Sequence, residues 1–323
     1  MMSKPIAIIA GEPNSISSEI IFKSWLLRKK YFHKPIVIIG SIDLLNLQKK
    51  KLRYKINIQK VNKNFDFNKM NRKKLWVYDI NYIQDKAFQK ISKKTNKYIF
   101  RCFNAAIKLI NKKKILGIIN CPVSKETLFD KKHQGITEFI SKKTKSKGKE
   151  VMLIYNKKFS VSPLTTHISL KDVNKNIDEK RIIKNVITIN NFYKKNFNIK
   201  PKIGILGINP HNFSKNINDK QKTIILAIKK IKNLKINIVG PIVPDSSFLI
   251  AQKNKIDVML GMYHDQVLTT FKTLFKFDAI NITLGLPFIR ISPDHGIGTD
   301  ILNKKKANPQ SLIQSIKFFN KIK

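Results

Sequence analysis

The sequence predicts an α/β protein, one large unit or two lobes, built around mostly parallel sheet. Three observations predict it. The chain opens as strand, helix, strand. Runs such as 258–262 (VMLGM) and 278–285 (DAINITLG) are apolar or β-branched and bounded by polar turns, as strands buried on both faces are. The length, 323 residues, exceeds one ordinary small domain.

Taken in order, residues 6–10 read as a buried strand, followed by the turn GEPNSIS, a helix over about 18–30 and a strand at 35–40. The turn holds a single glycine, Gly11, so the usual dinucleotide fingerprint is absent. Residues 49–74, rich in Lys and Asn, read as loop and short strands. Apolar spacing at Ile99, Phe100, Phe103, Ile107 and Ile110 predicts a helix over 98–112, with a strand at 115–120. After CPVSKETLF, Thr137 in HQGITEFI is a candidate N-cap, and 142–149 is a charged linker. Strands are expected at 151–155, 161–165, 202–207 and 236–239, and helices at 182–196 and 220–234. Residues 263–265 and 287–290 are expected just beyond strand ends, where loops of an open α/β sheet converge on a crevice.

Composition narrows the function classes. No apolar run reaches the roughly 18 residues of a membrane span, and no secretory h-region follows Met1, so a cytoplasmic protein without a membrane partner is expected. Two cysteines, Cys102 and Cys121, are too few for a disulfide framework. The net charge of +44 invites nucleic acid, but only six of 64 basic residues are Arg, the usual reader of base edges. The Lys are spread along the whole chain, so no specific nucleic-acid partner is expected.

Of six histidines, His167, His211 and His264 each follow an expected buried strand. One such His is ordinarily a hydrogen-bonded structural residue. Three at equivalent ends of one sheet either remain structural or converge on a divalent metal with open positions.

The segments TTHISLKDV, INPHNF, GPIVPDSSF, MYHDQVL and NITLGLPFIRISPDHGIGTDI resemble the 4-hydroxythreonine-4-phosphate dehydrogenase family of pyridoxal phosphate biosynthesis, over residues 6 to about 309. The resemblance implies an isocitrate/isopropylmalate dehydrogenase-like, two-lobed α/β/α fold with the active site in the cleft between lobes. It divides the chain into a cofactor lobe, 1–125 with 275–323, and a metal and dimer lobe, 126–274. It also implies a homodimer whose active site is shared between subunits. His167, His211 and His264 become ligands of a divalent cation (Zn, Mg or Co), and Ile136, Thr137, Lys272, Asn281 and Arg290 line the substrate position. Asp294, His295, Gly296 and Asp300 match the loop that holds NAD or NADP, and Asp245 and Asp265 are candidates to orient the metal ligands.

The chemistry of these residue types agrees. A cation on neutral imidazoles keeps its charge and makes a substrate hydroxyl more acidic. Lys272 offers a point charge and Arg290 a planar fork to phosphate and carboxylate. The departures are Ile136 where the family carries His, with His133 three residues upstream, a turn, NSISSE, without the family's glycines, and NPHNFSKN, without the Gly/Glu character that usually follows NPH. The expected activity is NAD-dependent oxidation of 4-phosphooxy-L-threonine, with decarboxylation of the 3-oxo acid to 3-amino-2-oxopropyl phosphate. The alternatives are a dehydrogenase of 4-phospho-erythronate or a threonate phosphate, and a basic nucleic-acid-binding protein.

Overall fold

The computed structural model of the chain describes residues 4–61, 65–129, 135–213 and 220–322; His133 lies outside them. Among the described residues twelve strands follow in order: β1 (Ile6–Ile9), β2 (Ile36–Gly40), β3 (Ile58–Val61), β4 (Leu75–Asp79), β5 (Gly117–Asn120), β6 (Val151–Tyr155), β7 (Ser160–Pro163), β8 (Ile203–Leu206), β9 (Ile238–Ile242), β10 (Val258–Gly261), β11 (Ile280–Leu284) and β12 (Ile289–Pro293). The chain divides into two compact units, Met1–Gly148 with Leu286–Lys323, and Lys149–Gly285.

In the first unit the strands lie in the order β3-β4-β2-β1-β5-β12, and every neighbouring pair is parallel. The central strands β1 (IAII), β2 (IVIIG) and β5 (GIIN) are buried along their whole length, which is why they carry almost only apolar residues. The chain leaves β1 for β2 on one side and returns to β5 on the other, so the topological switch point lies between β1 and β5. There Gly11 has φ +78°, and an added Cβ would stand 2.4 Å from the Pro122 carbonyl oxygen. Only glycine allows that approach.

The helix Asn96–Asn111 packs its buried face (Tyr98, Ile99, Cys102, Phe103, Ala106) into one apolar cluster with Ala7, Ile9, Val37, Ile39 and Ile118. Both cysteines are free and buried, and burial pushes the Cys102 thiol up to about 12.

The second unit is mixed: β11-β6-β7 pair antiparallel, whereas β7-β10-β8-β9 pair parallel. Its core gathers Ile154, Val161, Leu206, Met259, Val267, Leu268 and Phe271. The helix Glu179–Phe197 begins at Asp178, whose carboxylate accepts from the Arg181 N–H at 2.8 Å, and ends at Asn198 in the left-handed conformation. Among the described residues no helix is long and apolar enough to cross a membrane.

Several expectations change. The helix expected over 18–30 is two, Ser17–Leu26 and Arg28–Tyr31, divided where Leu27 N–H closes a tight turn on the Ser24 carbonyl. Thr137 is not an N-cap: Gly135 is, and Thr137 is the second residue of the helix Ile136–Lys143. The Glu138 carboxylate reaches back to the Gly135 N–H at 2.8 Å. Arg290 lies inside β12 rather than beyond a strand end.

Ile136 is 6% exposed and belongs to the apolar cluster with Phe103, Leu128 and Ile140. Replacing it by His removes buried hydrocarbon and buries an imidazole without a donor or acceptor provided for it. Ile136→His is therefore expected to cost about 2–4 kcal/mol of stability. Denaturant unfolding reads this, and an unchanged midpoint would show that position 136 faces a polar site instead.

Candidate active site

In the second unit β7, β10 and β8 are adjacent and parallel, with Pro163 opposite Gly261 and Ile205 opposite Leu260. Three neighbouring strands therefore end together, and strands lie only about 4.8 Å apart. His167, His264 and His211 follow those ends by four, three and five residues. Thr165 donates from its amide (3.2 Å) and from its hydroxyl (2.8 Å) to the Met262 carbonyl, tying the His167 segment to the His264 segment. Gln266 accepts from Met262 N–H at 2.6 Å and donates to the Gly207 carbonyl at 2.8 Å, which links the His264 turn to the segment leading to His211. Sequence reasoning missed this brace, and its only signal was a Gln two residues after the histidine.

The His167 and His264 rings stand with centroids 6.0 Å apart and planes at 41°. Nδ1 of His264 lies 2.9 Å from an Asp265 carboxylate oxygen, so the expected orienting residue touches the expected ligand. His167 and His211 hold φ of 51° and 52°, a region unfavourable for residues with a Cβ.

The donors fit a divalent cation in kind: imidazoles from adjoining strand ends, one with a carboxylate behind it. Among the described residues, however, no group of three or more His, Cys, Asp and Glu side chains is gathered closely enough to hold a metal ion. The geometry brings His167 and His264 together and leaves His211 exposed in a 3₁₀ turn, Pro210–Asn212. Asp245 is exposed. Lys272 is exposed eight residues beyond His264 on the helix His264–Phe275, a separation of about 12 Å along the axis. Asn281 is half-buried on β11, opposite Ile154.

In the first unit Arg290 is the centre of a polar cluster. It is 4% exposed, and it donates from Nε to Asn120 Oδ1 at 2.7 Å and from a terminal nitrogen to Thr137 Oγ1 at 3.1 Å. Ser292 also donates to Asn120 Oδ1, at 3.0 Å. Burial lowers the guanidinium to about 10, opposed by the nearby Glu138 carboxylate, so it stays charged at neutral pH. Asn120 was not foreseen, although a polar residue ending the run GIIN was its signal.

Glu12, also unforeseen, follows β1 at the switch point and is 1% exposed. Its carboxyl accepts from Asn14 N–H at 3.3 Å and from the Thr95 hydroxyl at 3.2 Å, and its amide donates to the Pro122 carbonyl at 2.9 Å. Desolvation raises its pKa above the ordinary 4.5, more than those bonds lower it. A carboxyl with a raised native pKa contributes stability that is fully present below the unfolded value and is lost as pH rises through the folded one. Glu12→Gln is therefore expected to melt at a temperature that gains on the natural chain as pH climbs from 4.5 to neutrality. A difference constant across that range in paired thermal melts would contradict it.

The segment after β12 carries the four expected cofactor residues. Asp294 N–H donates to Ser311 Oγ at 2.7 Å, Ile16 N–H donates to the Ile297 carbonyl at 3.1 Å, and Gly298 takes the left-handed conformation beneath Ile16. The loop thus lies against the turn that follows β1. His295 presents Nδ1 to the Gly296 carbonyl at 3.1 Å, while its Nε2 is buried with no hydrogen-bond partner. Burial holds its pKa below the ordinary value. An orphaned ring nitrogen beside the exposed Gly296, whose added Cβ would meet nothing within 4 Å, fits a loop that awaits a bound group. Asp300 is exposed in the 3₁₀ turn Thr299–Ile301.

The family model described as pyridoxal phosphate biosynthetic protein PdxA matches residues 32–319. A 4-hydroxythreonine-4-phosphate dehydrogenase from Sulfurihydrogenibium sp. (strain YO3AOP1) is 37% identical over 316 residues, covering 96% of this chain and 96% of the relative. A D-threonate 4-phosphate dehydrogenase from Salmonella typhimurium (strain LT2) is 31% identical, with 98% of each chain covered. The solved structure of a 4-hydroxythreonine-4-phosphate dehydrogenase, so described, from Salmonella typhimurium matches with TM-score 0.85 and 29% identity, covering 98% of each chain.

Proposed function

Because the chain belongs to the PdxA family of pyridoxal phosphate biosynthetic proteins, we propose that it is an NAD-dependent oxidoreductase acting on 4-phosphooxy-L-threonine in the cytoplasm. The C3 hydroxyl gives its proton to solvent and the C3–H leaves as hydride to the nicotinamide. The 3-oxo acid then loses carbon dioxide and takes up a proton, which leaves 3-amino-2-oxopropyl phosphate.

The observation that carries the reading is the placement of His167, His264 and His211 after three adjacent parallel strands, with Asp265 against His264. These imidazoles would hold a divalent cation (Zn, Mg or Co), which when bound supplies positive charge that makes a hydroxyl easier to deprotonate. Asp265 would keep the His264 proton on Nδ1 and leave Nε2 as the donor atom. Arg290, positioned by Asn120 and Thr137, would hold an anionic group of the substrate through its planar fork, and Asn281 would supply an amide. Asp294, His295, Gly296 and Asp300 would hold the NAD or NADP. Lys272, about 12 Å along its helix from His264 and exposed, suits a charge lent to a second copy of the chain in a homodimer.

A second reading, a threonate phosphate as substrate, is supported by the 31% identity to a D-threonate 4-phosphate dehydrogenase. The two readings part in an NADH-formation assay across 4-phosphooxy-L-threonine, D-threonate 4-phosphate and 4-phospho-erythronate. The first predicts the highest kcat/KM for 4-phosphooxy-L-threonine, and a higher value for either of the others would displace it.

A further inference from the structure

The segment from Asp294 to the C-terminal helix Gln310–Lys321 contains no strand and no α-helix, yet it must keep one shape if it is to hold a ligand. Its beginning is tied by Asp294 to Ser311 and its middle by Ile297 to Ile16. Its far end is tied by two charged residues on the helix Ser17–Leu26, far away in sequence.

Glu19 is 1% exposed, and its Oε1 accepts from the Ala307 N–H at 2.9 Å and from Lys23 Nζ at 2.7 Å. Lys23 Nζ also donates to the carbonyls of Lys305 (2.8 Å) and Ala307 (2.7 Å). The ammonium thus spends all three of its donors, one on the carboxylate and two on the backbone of one segment. A charge-assisted bond is among the stronger kinds, and this arrangement, partly exposed at Lys23 and buried at Glu19, uses three together.

Surface Lys–Glu pairs one turn apart on a helix usually contribute little and hold nothing else. This pair differs, because its carboxylate is buried and both partners bond the main chain of a segment nearly 290 residues away. The helix that carries it begins just after Ile16, which ties the middle of the same loop. One helix and the residue that caps it therefore fix both the middle and the end of the segment.

We propose that Glu19 and Lys23 are positioning residues for the nicotinamide cofactor: their clamp on Lys305 and Ala307 sets the shape of the Asp294–Asp300 loop. The proposal rests on the cofactor reading of that loop. Neither residue touches the cofactor; each acts through the backbone it holds.

The test measures NADH affinity of the full chain by fluorescence titration at equilibrium, beside the KM for the phosphorylated substrate. Lys23→Met keeps the apolar stem and removes all three donors, and is expected to weaken NADH binding by about tenfold, while the substrate KM moves less than about twofold. Lys23→Arg, which keeps a charged multiple donor, should restore most of the affinity. Glu19→Gln keeps an acceptor for the Ala307 amide but loses the charge, and gives the same direction should Lys23→Met fold poorly. Gly296→Val serves as the control, because its side chain enters open space in the loop and should block the cofactor directly. If Gly296→Val weakens NADH binding and neither Lys23→Met nor Glu19→Gln does, the clamp is overturned and the loop reading stands. If none of the three changes NADH affinity, the loop reading falls and takes the clamp with it. Equal losses in NADH and substrate affinity would also overturn the proposal, since they mark a general structural role.

Discussion

Replacing Arg290 by Met is expected to lower kcat/KM by about a thousandfold or more, and replacing it by Lys by about thirty- to a hundredfold. The guanidinium is 4% exposed and bonded to the neutral groups of Asn120 and Thr137. Removing such a charge from water is costly, and burial lowers it only to about 10, so it remains a cation at neutral pH. A phosphate or carboxylate brought to it would gain both the charge and the fork geometry. Lysine keeps the charge but cannot bond Asn120 Oδ1 and Thr137 Oγ1 together while facing an anion. Thermal melts must accompany the kinetics, since the same bonds hold β12, β5 and the helix Ile136–Lys143 together. A folded Arg290→Met variant with undiminished kcat/KM would remove Arg290 from the substrate site.

His167→Ala, His211→Ala and His264→Ala are each expected to abolish metal-dependent turnover while leaving the protein folded. The side chains of His167 and His211 are exposed and that of His264 is partly so, so none holds the core. Asp265→Asn should have a smaller effect, about ten- to a hundredfold in metal affinity, because it removes the negative charge behind His264 rather than a ligand. Metal content of the dialysed variants and their turnover check both. Undiminished metal-dependent turnover in any one His variant would remove that residue from the ligand set.

The strand-end histidines were legible because buried strands announce themselves as apolar runs, and the residue after such a run is placed by the sheet. Leu260 opposite Ile205 and Gly261 opposite Pro163 turn that one-dimensional reading into three neighbouring strand ends. β3 was legible only as one of the unplaced short strands of 49–74, because it is an edge strand reading IQKV with only Val61 buried. The helix His264–Phe275 was hidden by its β-branched Thr269, Thr270 and Thr273, although Val267, Leu268 and Phe271 face the core. Thr137 looked like a cap because a small polar residue preceded an apolar one. Glu138 settled the matter by reaching back to Gly135, a tertiary-independent signal three residues long. Glu12 and Asn120 were missed for a different reason: their roles come from partners distant in sequence, Pro122 and Thr95 for Glu12 and Arg290 and Ser292 for Asn120, which no local pattern carries. The same holds for Glu19 and Lys23, whose partners lie at Lys305 and Ala307.

The account stands on a divalent cation held by His167, His211 and His264 and required for hydride transfer to NAD. The measurement that reaches it most directly is NADH formation from 4-phosphooxy-L-threonine by protein stripped with a chelator, before and after a divalent cation is returned. The account predicts no NADH from the stripped protein, full recovery on adding the cation, and no recovery in His264→Ala. NADH formed at the same rate by the stripped protein would contradict it.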